Sequence, residues 1–302
     1  MTRMTTTGDG LARYKLMLVA AAAIWGGSFV VLKGAIEIVP PSWLLGFRFL
    51  LAGAIMAVVF RKRVVRSLDA GHVRAGVALG VTGALGYLVQ NLGLVDTTPG
   101  HNAFLTATYC VMVPFMHWAA KRVRPSISNV AAAFLALAGV GALSLGGGGL
   151  FELRWGDWMT LFGAFWYAVQ IEVMVSVAKG RDVLTMTVVE FLVMGAVCAA
   201  FGAAAEPFPP VEVFARPDFL AQMAYLVILA SCVCTMFQNL GQAHVPPAQA
   251  SLLLSLESVF GVFFSVVLYG EPLTPALMTG FGLVFAAVLL SELGPSARKE
   301  NG

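Results

Sequence analysis

The sequence predicts an all-α integral membrane protein with ten transmembrane helices, arranged as two inverted repeats of five helices each (5+5). Three observations lead to this fold class. Of the 302 residues, 59% are hydrophobic and 12% are charged, which is too apolar for a soluble globular protein. The apolar residues form ten runs, each long enough to cross about 30 Å of hydrocarbon. The second half of the chain also repeats the first at a constant spacing.

The repeat is clearest in two copies of the tetrapeptide Gln-Asn-Leu-Gly. The copies occupy residues 90–93 and 238–241, which are 148 positions apart. The same offset brings Pro99 to Pro247 and Tyr109 to Glu257, and an apolar run follows each of these prolines. A constant spacing without gaps indicates an internal duplication.

The ten apolar runs follow one another with short polar segments between them. They cover residues 14–33, 42–60, 74–95, 101–120, 128–146, 157–178, 183–204, 218–240, 249–269 and 274–293. Four glycines at 146–149 separate the halves, which predicts a first repeat over residues 1–148 and a second over 149–302. Because five is an odd number of helices, the second copy must enter the membrane from the opposite side.

The basic residues predict the orientation of the chain. If the N-terminus is cytoplasmic, 15 of the 19 Lys and Arg residues fall in cytoplasmic segments, three fall outside (Lys33, Arg154 and Arg216), and Arg48 lies within the second run. This bias predicts a protein of the bacterial cytoplasmic (inner) membrane with both termini cytoplasmic. We interpret Lys33 as an outer anchor whose ammonium reaches the membrane interface. The basic residues form no surface interleaved with aromatic residues, so no nucleic-acid partner is predicted.

The sequence contains no motif for a cofactor, a metal or catalysis. The four cysteines lie inside apolar runs, where they behave as small hydrophobic residues. His101, His117 and His244 lie near the ends of runs and lack the spacing of metal ligands. A phosphate-binding loop of the G-x-x-x-x-G-K-[ST] type is missing, so ATP does not drive the protein directly. We therefore predict that it is not an enzyme and uses no cofactor.

Four charged residues lie inside the apolar runs, where a charge is costly and is a candidate for coupling or binding: Arg48, Glu172, Glu190 and Glu257. Glu257 lies near the middle of its run and is predicted to bind substrate or protons. The alternative is a carboxyl held between helices for structural reasons. Arg48 and Glu190 occupy equivalent positions, but inversion places them on opposite sides of the membrane centre, which disfavours a direct salt bridge.

Polar and aromatic side chains within the runs are further candidates. Asn102, Thr106 and Tyr109 are spaced four and three residues apart, so they share one helix face. Gln170 and Glu172 point in opposite directions and cannot both face one cavity. The predicted substrate-binding residues are Trp25, Ser28, Tyr87, Gln90, Asn91, Asn102, Thr106, Tyr109, Trp166, Gln170, Gln238, Asn239, Ser255 and Glu257. Hydrogen bonding between helices and simple packing remain the alternative interpretations of these residues.

In several motifs the chain resembles the EamA family of the drug/metabolite transporter superfamily. The motifs are Trp25-Gly26-Gly27-Ser28-Phe29 with Lys33, Arg48-Phe49, Asn102-Ala103-Phe104-Leu105 with Val113-Pro114, Leu256-Glu257-Ser258-Val259, and Gly270-Glu271-Pro272-Leu273. The resemblance implies two inverted five-helix repeats around a cavity walled mainly by helices 1, 3, 4, 6, 8 and 9. It also implies movement of small metabolites, often amino-acid export. The family often has a proline after the glutamate of the ninth helix, where this chain has Ser258.

Together these observations predict a secondary active or facilitative transporter of small amino-acid-like metabolites that works by alternating access, in the export direction. Its partners would be a small-molecule substrate, the lipid bilayer and protons. Three intramembrane glutamates against one arginine favour a zwitterionic or cationic substrate. The alternatives are a broad-specificity exporter of cationic drugs, a membrane scaffold and a lipid-processing enzyme. The enzyme would need a cluster of acid, base and nucleophile at one membrane face.

Overall fold

The regular structure of the described chain is entirely helical. The structure is a computed structural model that describes residues 8–145, 154–270, 272 and 274–293. Its α-helices are α1 (Gly8–Ile36), α2 (Pro41–Val59), α3 (Arg61–Ser67), α4 (Ala70–Val95), α5 (Pro99–Thr106), α6 (Tyr109–Lys121), α7 (Ile127–Leu145), α8 (Trp155–Val177), α9 (Val183–Ala205), α10 (Pro217–Ala224), α11 (Cys234–Gln242), α12 (Pro247–Leu254), α13 (Leu256–Phe264) and α14 (Pro275–Leu293). A π-helix at Tyr225–Val233 joins α10 to α11, and a second one at Ser265–Tyr269 extends α13. A 3₁₀ turn covers Val211–Ala215.

Eight helical segments of the described chain are long and apolar enough to cross a membrane. They match eight of the ten predicted runs. The fifth and tenth runs form α7 and α14, helices of 19 residues each, within which apolar stretches are described at Ile127–Gly139 and Met278–Ala287. The predicted all-helical membrane fold is therefore confirmed, whereas the count of ten spans stays a prediction. The predicted boundary at residues 148 and 149 lies outside the described residues.

Local sequence explains where many of the helices begin. Proline is the first residue of α2, α5, α10, α12 and α14, a position where its missing N–H group costs nothing. Before α4 and α9, Asp69 and Asp182 cap the helix by accepting a hydrogen bond from the backbone N–H three residues later. Burial raises the pKa of Asp182, but hydrogen bonds from Arg63 and Thr185 lower it further than burial raises it.

The packing of α2 against α9 follows the inverted repeat. With an offset of 142 residues, Phe49 is equivalent to Phe191, and their rings stack with centroids 5.8 Å apart. The same pair of helices is in close contact at two further points. Gly53 is so near Leu192 that an added Cβ would lie 2.9 Å from its Cδ2 atom, and the equivalent Gly195 is as close to Leu50. These reciprocal contacts place the local two-fold axis between α2 and α9.

Two of the long helical segments are interrupted at equivalent positions. The α5–α6 segment breaks at Ala107–Thr108, and the α12–α13 segment breaks at Ser255, which the offset of 148 aligns with Ala107. Hydroxyl groups at the breaks donate to nearby carbonyls, from Thr108 to Leu105 and from Ser255 to Leu252, at 2.7 Å each. Such bonds satisfy backbone groups that an interrupted helix leaves open. The second break forms next to Ser258, so no proline is required there.

Candidate substrate site

A narrow cavity lies between the two repeats. Its walls come from the first, third, fourth, sixth, eighth and ninth predicted spans, as the family resemblance implies. The lining residues are Trp25, Ser28, Phe29 and Leu32 of α1, Tyr87 and Gln90 of α4, Thr106 and Tyr109 of the α5–α6 segment, Tyr167, Gln170 and Ile171 of α8, Gln238 of α11, and Leu254 and Glu257 of the α12–α13 segment. Aromatic and amide side chains dominate this wall.

Most lining residues come in equivalent pairs from the two repeats. The offset of 148 relates Gln90 to Gln238, Thr106 to Leu254 and Tyr109 to Glu257. The offset of 142 relates Trp25 to Tyr167, Ser28 to Gln170 and Phe29 to Ile171. The cavity is therefore built around the axis that relates the repeats. The two breaks lie one or two residues before Tyr109 and Glu257 and fix the position of these side chains in the wall.

A hydrogen-bond network holds one side of the cavity in place. Gln90 accepts from the Tyr167 hydroxyl at 2.7 Å and donates to Thr106 Oγ1 at 2.8 Å. Asn102 lies behind this wall, donating to the Gln90 carbonyl at 3.1 Å and to Thr160 Oγ1 at 2.8 Å. Thr106 completes the chain by donating to the Asn102 carbonyl. Because the Gln90 side chain is already bonded, it serves to orient Tyr167 and Thr106.

Among the described residues that line the cavity, Glu257 is the single charged one. The phenol of Tyr109 lies close enough to interact with its carboxylate. Among the described residues no salt bridge joins Glu257 to a cation. The rings of Tyr87 and Tyr167 meet edge to face, with centroids 5.3 Å apart. One carboxylate among aromatic rings is an arrangement that can bind an ammonium group.

Arg48 lies outside the cavity, behind the ring of Tyr87. Its side chain is fully buried, and its Cζ atom lies 5.4 Å from the centroid of that ring. Nε donates to Ser231 Oγ at 2.7 Å, and Nη2 donates to the Ala230 carbonyl at 3.1 Å. The same carbonyl, in the π-helix, accepts from Trp25 Nε1 at 2.6 Å. Arg48 thus links α2 to the segment that holds Trp25, while its Nη1 atom has no hydrogen-bond partner.

Glu190 is the centre of a second buried polar cluster, on α9. Its Oε1 atom accepts from Gln170 Nε2 at 2.7 Å, and Oε2 accepts from Asn239 Nδ2 at 2.6 Å. Asn239 also donates to Thr187 Oγ1 at 2.8 Å. The described residues form no salt bridge between Glu190 and Arg48, in agreement with the expectation from inversion. Since Gln170 also lines the cavity, the cluster is one side chain away from it.

Glu172 faces away from the cavity, as its position relative to Gln170 predicts. Its carboxylate pairs with His117 Nδ1 of α6 at 3.0 Å and is largely shielded from solvent. The sequence predicted no partner for either residue, because they are distant along the chain and lie on different spans. The pair connects α6 to α8 outside the cavity wall.

At one end of the bundle, here called the Lys33 end, the ammonium of Lys33 binds the end of α4. Nζ donates to the carbonyls of Leu94 at 2.9 Å, Val95 at 3.1 Å and Thr97 at 3.1 Å. The carbonyls of Leu94 and Val95 are ones that the helix terminus leaves without partners, and a cation is favourable there. Lys33 therefore joins α1 to the loop before α5, which differs from the interface anchor that the sequence suggested.

The opposite end, here called the His244 end, contains a pocket that is open to solvent. It separates the end of α8 from the loop between α11 and α12. The lining residues are Val175, Ala178, Lys179, Gly180, Arg181, Val183, Gln242, Ala243, His244, Val245, Pro246 and Pro247. Both polar atoms of the buried Gln242 amide lack a hydrogen-bond partner. On its other side, the same loop is held by His244, whose ring stacks on Tyr14 of α1 at 3.9 Å.

The sequence matches the EamA-like transporter family over residues 13–145 and 154–293, nearly the whole of both repeats. The chain belongs to this family. It is therefore a membrane transporter of the drug/metabolite transporter superfamily, and the resemblance seen in the motifs is confirmed. The two matched segments correspond to the two repeats of the EamA fold.

Relatives and a solved structure are consistent with this assignment. The EamA-like chain is 27% identical over 278 residues to an uncharacterized transporter of Archaeoglobus fulgidus, covering 92% of this chain and 85% of the relative. A second uncharacterized transporter of the same organism is 27% identical over 290 residues, covering 91% and 96%. A crystal structure of a protein aligns with a TM-score of 0.74 at 18% identity, covering 93% of this chain and 97% of that one, which supports the fold.

In this EamA-like transporter, nine of the predicted binding residues line the cavity: Trp25, Ser28, Tyr87, Gln90, Thr106, Tyr109, Gln170, Gln238 and Glu257. Five others do not. Asn91 donates to the Tyr87 carbonyl, Asn102 supports Gln90, Asn239 binds Glu190, and Ser255 bonds within its own helix. Trp166 instead packs edge to face against Phe162 and Phe165. These residues position the wall rather than form it.

Tyr167 occupies the place that the sequence assigned to Trp166. The offset of 142 that relates Arg48 to Glu190 also applies to the first and sixth spans. It relates Trp25 to Tyr167. Pairing Trp25 with Trp166 corresponds instead to an offset of 141. This pairing shifted the predicted cavity-facing side of α8 by one residue. One residue is about 100° around an α-helix, which is enough to move a side chain out of a cavity.

Proposed function

We propose that this protein moves small amino-acid-like metabolites across the membrane by alternating access, as a secondary active or facilitative carrier working in the export direction. The arrangement of Glu257 among the aromatic rings of the cavity carries this proposal. A substrate ammonium would pair with Glu257 and contact the faces of Tyr87 and Tyr167. Phe29 and Leu32 supply apolar surface for a side chain. The inverted repeat around the cavity supports a carrier that opens alternately to either side.

The excess of basic residues in alternate loops supports an orientation with both termini cytoplasmic, in the cytoplasmic membrane of a bacterium. In that orientation the His244 end faces the cytoplasm and the Lys33 end faces outward. Energy for net transport would come from an ion gradient, with protons as the coupling ion.

A second candidate is export of cationic drugs. It is favoured by a single observation, that the described cavity wall contains no cationic side chain to pair with a substrate carboxylate. For amino acids, hydrogen-bond donors such as Gln238 must serve instead. The two candidates therefore differ in whether the substrate needs a carboxylate.

The test is counterflow in proteoliposomes, loaded in turn with cationic, aromatic and aliphatic amino acids and with amines that lack the carboxylate. We expect saturable exchange of an amino-acid class. Glu257→Gln should reduce that exchange at least about tenfold, because it removes the charge opposite the ammonium. Glu172→Gln is the matched control, since it neutralises a buried carboxylate that faces away from the cavity. Exchange of amines alone would support the drug exporter, and full activity of Glu257→Gln would rule out this role for the cavity.

A further inference from the structure

The fully buried Glu190 carboxylate has no function in the arrangement described so far. It lies beside the cavity, yet the described residues offer it no counter-ion. The polar side chains on the helices around it are uncharged or directed elsewhere. Gln170 and Asn239 supply amide donors, Tyr87 of α4 interacts with it electrostatically, and Arg48 of α2 is directed to Ser231 and Ala230. Burying a charge without a counter-ion is costly, and a bound proton would remove that charge.

The hydrogen bonds around Glu190 determine which oxygen can carry that proton. Thr187 donates its hydroxyl proton to the Val183 carbonyl at 2.9 Å, so its oxygen can only accept from Asn239. The Asn239 amide must therefore keep its nitrogen towards both Thr187 and Glu190. Because an amide nitrogen cannot accept a hydrogen bond, a proton on Oε2 would have no acceptor there. The proton must go to Oε1, which faces Gln170.

Protonation of Oε1 has a direct consequence for Gln170. In the unprotonated state Gln170 donates Nε2–H to Glu190. A carboxylic acid at this position donates instead, and Gln170 must turn its amide over so that its own Oε1 accepts. Among the described hydrogen bonds of the Gln170 side chain, the one to Glu190 is the single one, so no second bond opposes the turn. Its nitrogen lies against Gly83, where an added Cβ would be only 3.0 Å away, so the missing side chain at this position is what admits the amide.

We propose that Glu190 is a proton-binding site that reverses the hydrogen bonding of Gln170 and so selects the substrate. When Glu190 is ionised, the carbonyl oxygen of Gln170 faces the cavity and repels a substrate carboxylate. With Glu190 protonated, the Gln170 N–H groups turn to the cavity and bind that carboxylate, while Glu257 binds the ammonium. The proton comes from water and adds to Oε1, and no other bond is made or broken. The proposal rests on the cavity being the substrate site.

The proton site itself is tested without a substrate, by infrared spectroscopy of the purified protein between about pH 5 and pH 9. We expect a carboxylic-acid C=O band that disappears on alkalinisation, is absent in Glu190→Gln and persists in Glu257→Gln. Gln170→Leu should keep the band and shift its frequency, since the acid loses its acceptor. A band that is unaffected by Glu190→Gln, or the lack of any titrating band, would overturn the proposal.

The link to selectivity is tested by counterflow of an exchanged amino acid and of the amine that lacks its carboxylate. The KM of the amino acid should rise about tenfold from the acid to the alkaline form of Glu190, as expected for loss of one hydrogen bond to a charged group. The KM of the amine should stay constant. Gln170→Leu should abolish the pH dependence, and Glu190→Gln should hold the KM at its acidic value. Unchanged pH dependence in Gln170→Leu contradicts the switch.

The two tests separate failure of this inference from failure of the proposed function. If no amino acid is exchanged by folded protein, the proposed function fails, while the infrared titration still decides whether Glu190 binds a proton. If amino acids are exchanged and Glu190 titrates, but Gln170→Leu leaves selectivity pH-dependent, the transport function stands and the amide switch is wrong.

Discussion

The Lys33 end and the His244 end of the bundle are built from equivalent parts, yet one is closed and the other open. At the Lys33 end, the last turn of α1 is tied to the end of α4 by three hydrogen bonds from one ammonium. At the His244 end, the last turn of α8 is separated from the end of α11 by the pocket. α8 is the repeat equivalent of α1, and α11 is the equivalent of the end of α4.

Two residue differences between the repeats coincide with this difference. The offset of 142 relates Lys33 to Val175, and the offset of 148 relates Leu94 to Gln242. Where the Lys33 end has a cation, the His244 end has an apolar side chain that cannot bind carbonyls. Where the Lys33 end has a packed leucine, the His244 end has an amide without partners. A carrier with symmetric repeats can thus favour one open side through a few unlike residues.

Among the substitutions that test this comparison, removal of the Lys33 ammonium should change the opening of an end the most. In Lys33→Met, three carbonyls lose a charged donor, which is worth about 1.5–3 kcal/mol for one such interaction. We expect the population in which this end is open to rise at least about tenfold. The measurement is the alkylation rate of a cysteine introduced as Leu94→Cys, which is buried in the closed form.

The matched control is Lys179→Met, which removes the same charge from the pocket wall of the His244 end and should leave the alkylation rate unchanged. Equal rates in Lys33→Met and in the parent would show that packing of α1 and α4, rather than the ammonium, keeps this end closed.

Val175→Lys should make the two ends more alike. The new ammonium could reach carbonyls of the loop before α12, equivalent to those that Lys33 binds. Because this pocket is open to solvent, we expect a smaller gain, within about 1 kcal/mol, and a several-fold slower alkylation of Ala243→Cys. Val175→Met is the control for side-chain bulk. If both variants slow alkylation equally, the effect comes from filled space and the charge is irrelevant.

Gln242→Leu should have the smallest effect, on stability. Burying an amide without partners costs about 1–3 kcal/mol, so leucine, the residue at the equivalent position 94, should raise the unfolding free energy by about 1 kcal/mol. Thermal unfolding in detergent measures the change, with Leu94→Met as a volume-conserving control at the other end. Destabilisation by Gln242→Leu would mean that the amide has a partner in the resting protein.

Much of the fold could be read from the sequence, because hydrophobic runs and an internal repeat are signals of composition and spacing. The repeat also related Gln90 to Gln238 and Tyr109 to Glu257, which the structure brings to one cavity. It could not show the role of Lys33, since the same lysine at a helix end fits an interface anchor and a ligand of α4 carbonyls. The His117–Glu172 pair was missed for a similar reason, because no periodicity relates residues on different spans.

The reciprocal contact of α2 and α9, in which each helix presents a glycine to the leucine of the other, has the form of an isologous interface. Two separate copies of one half, associating in opposite orientations about a two-fold axis, would make the same contact twice. Both subunits of such a dimer have the same sequence. A cation at position 48 would therefore lie within the membrane in each of them. Joining the halves in one polypeptide removes that constraint. It lets the second copy place the carboxylate of Glu190 where the first has the guanidinium of Arg48, so that equivalent positions carry opposite charges.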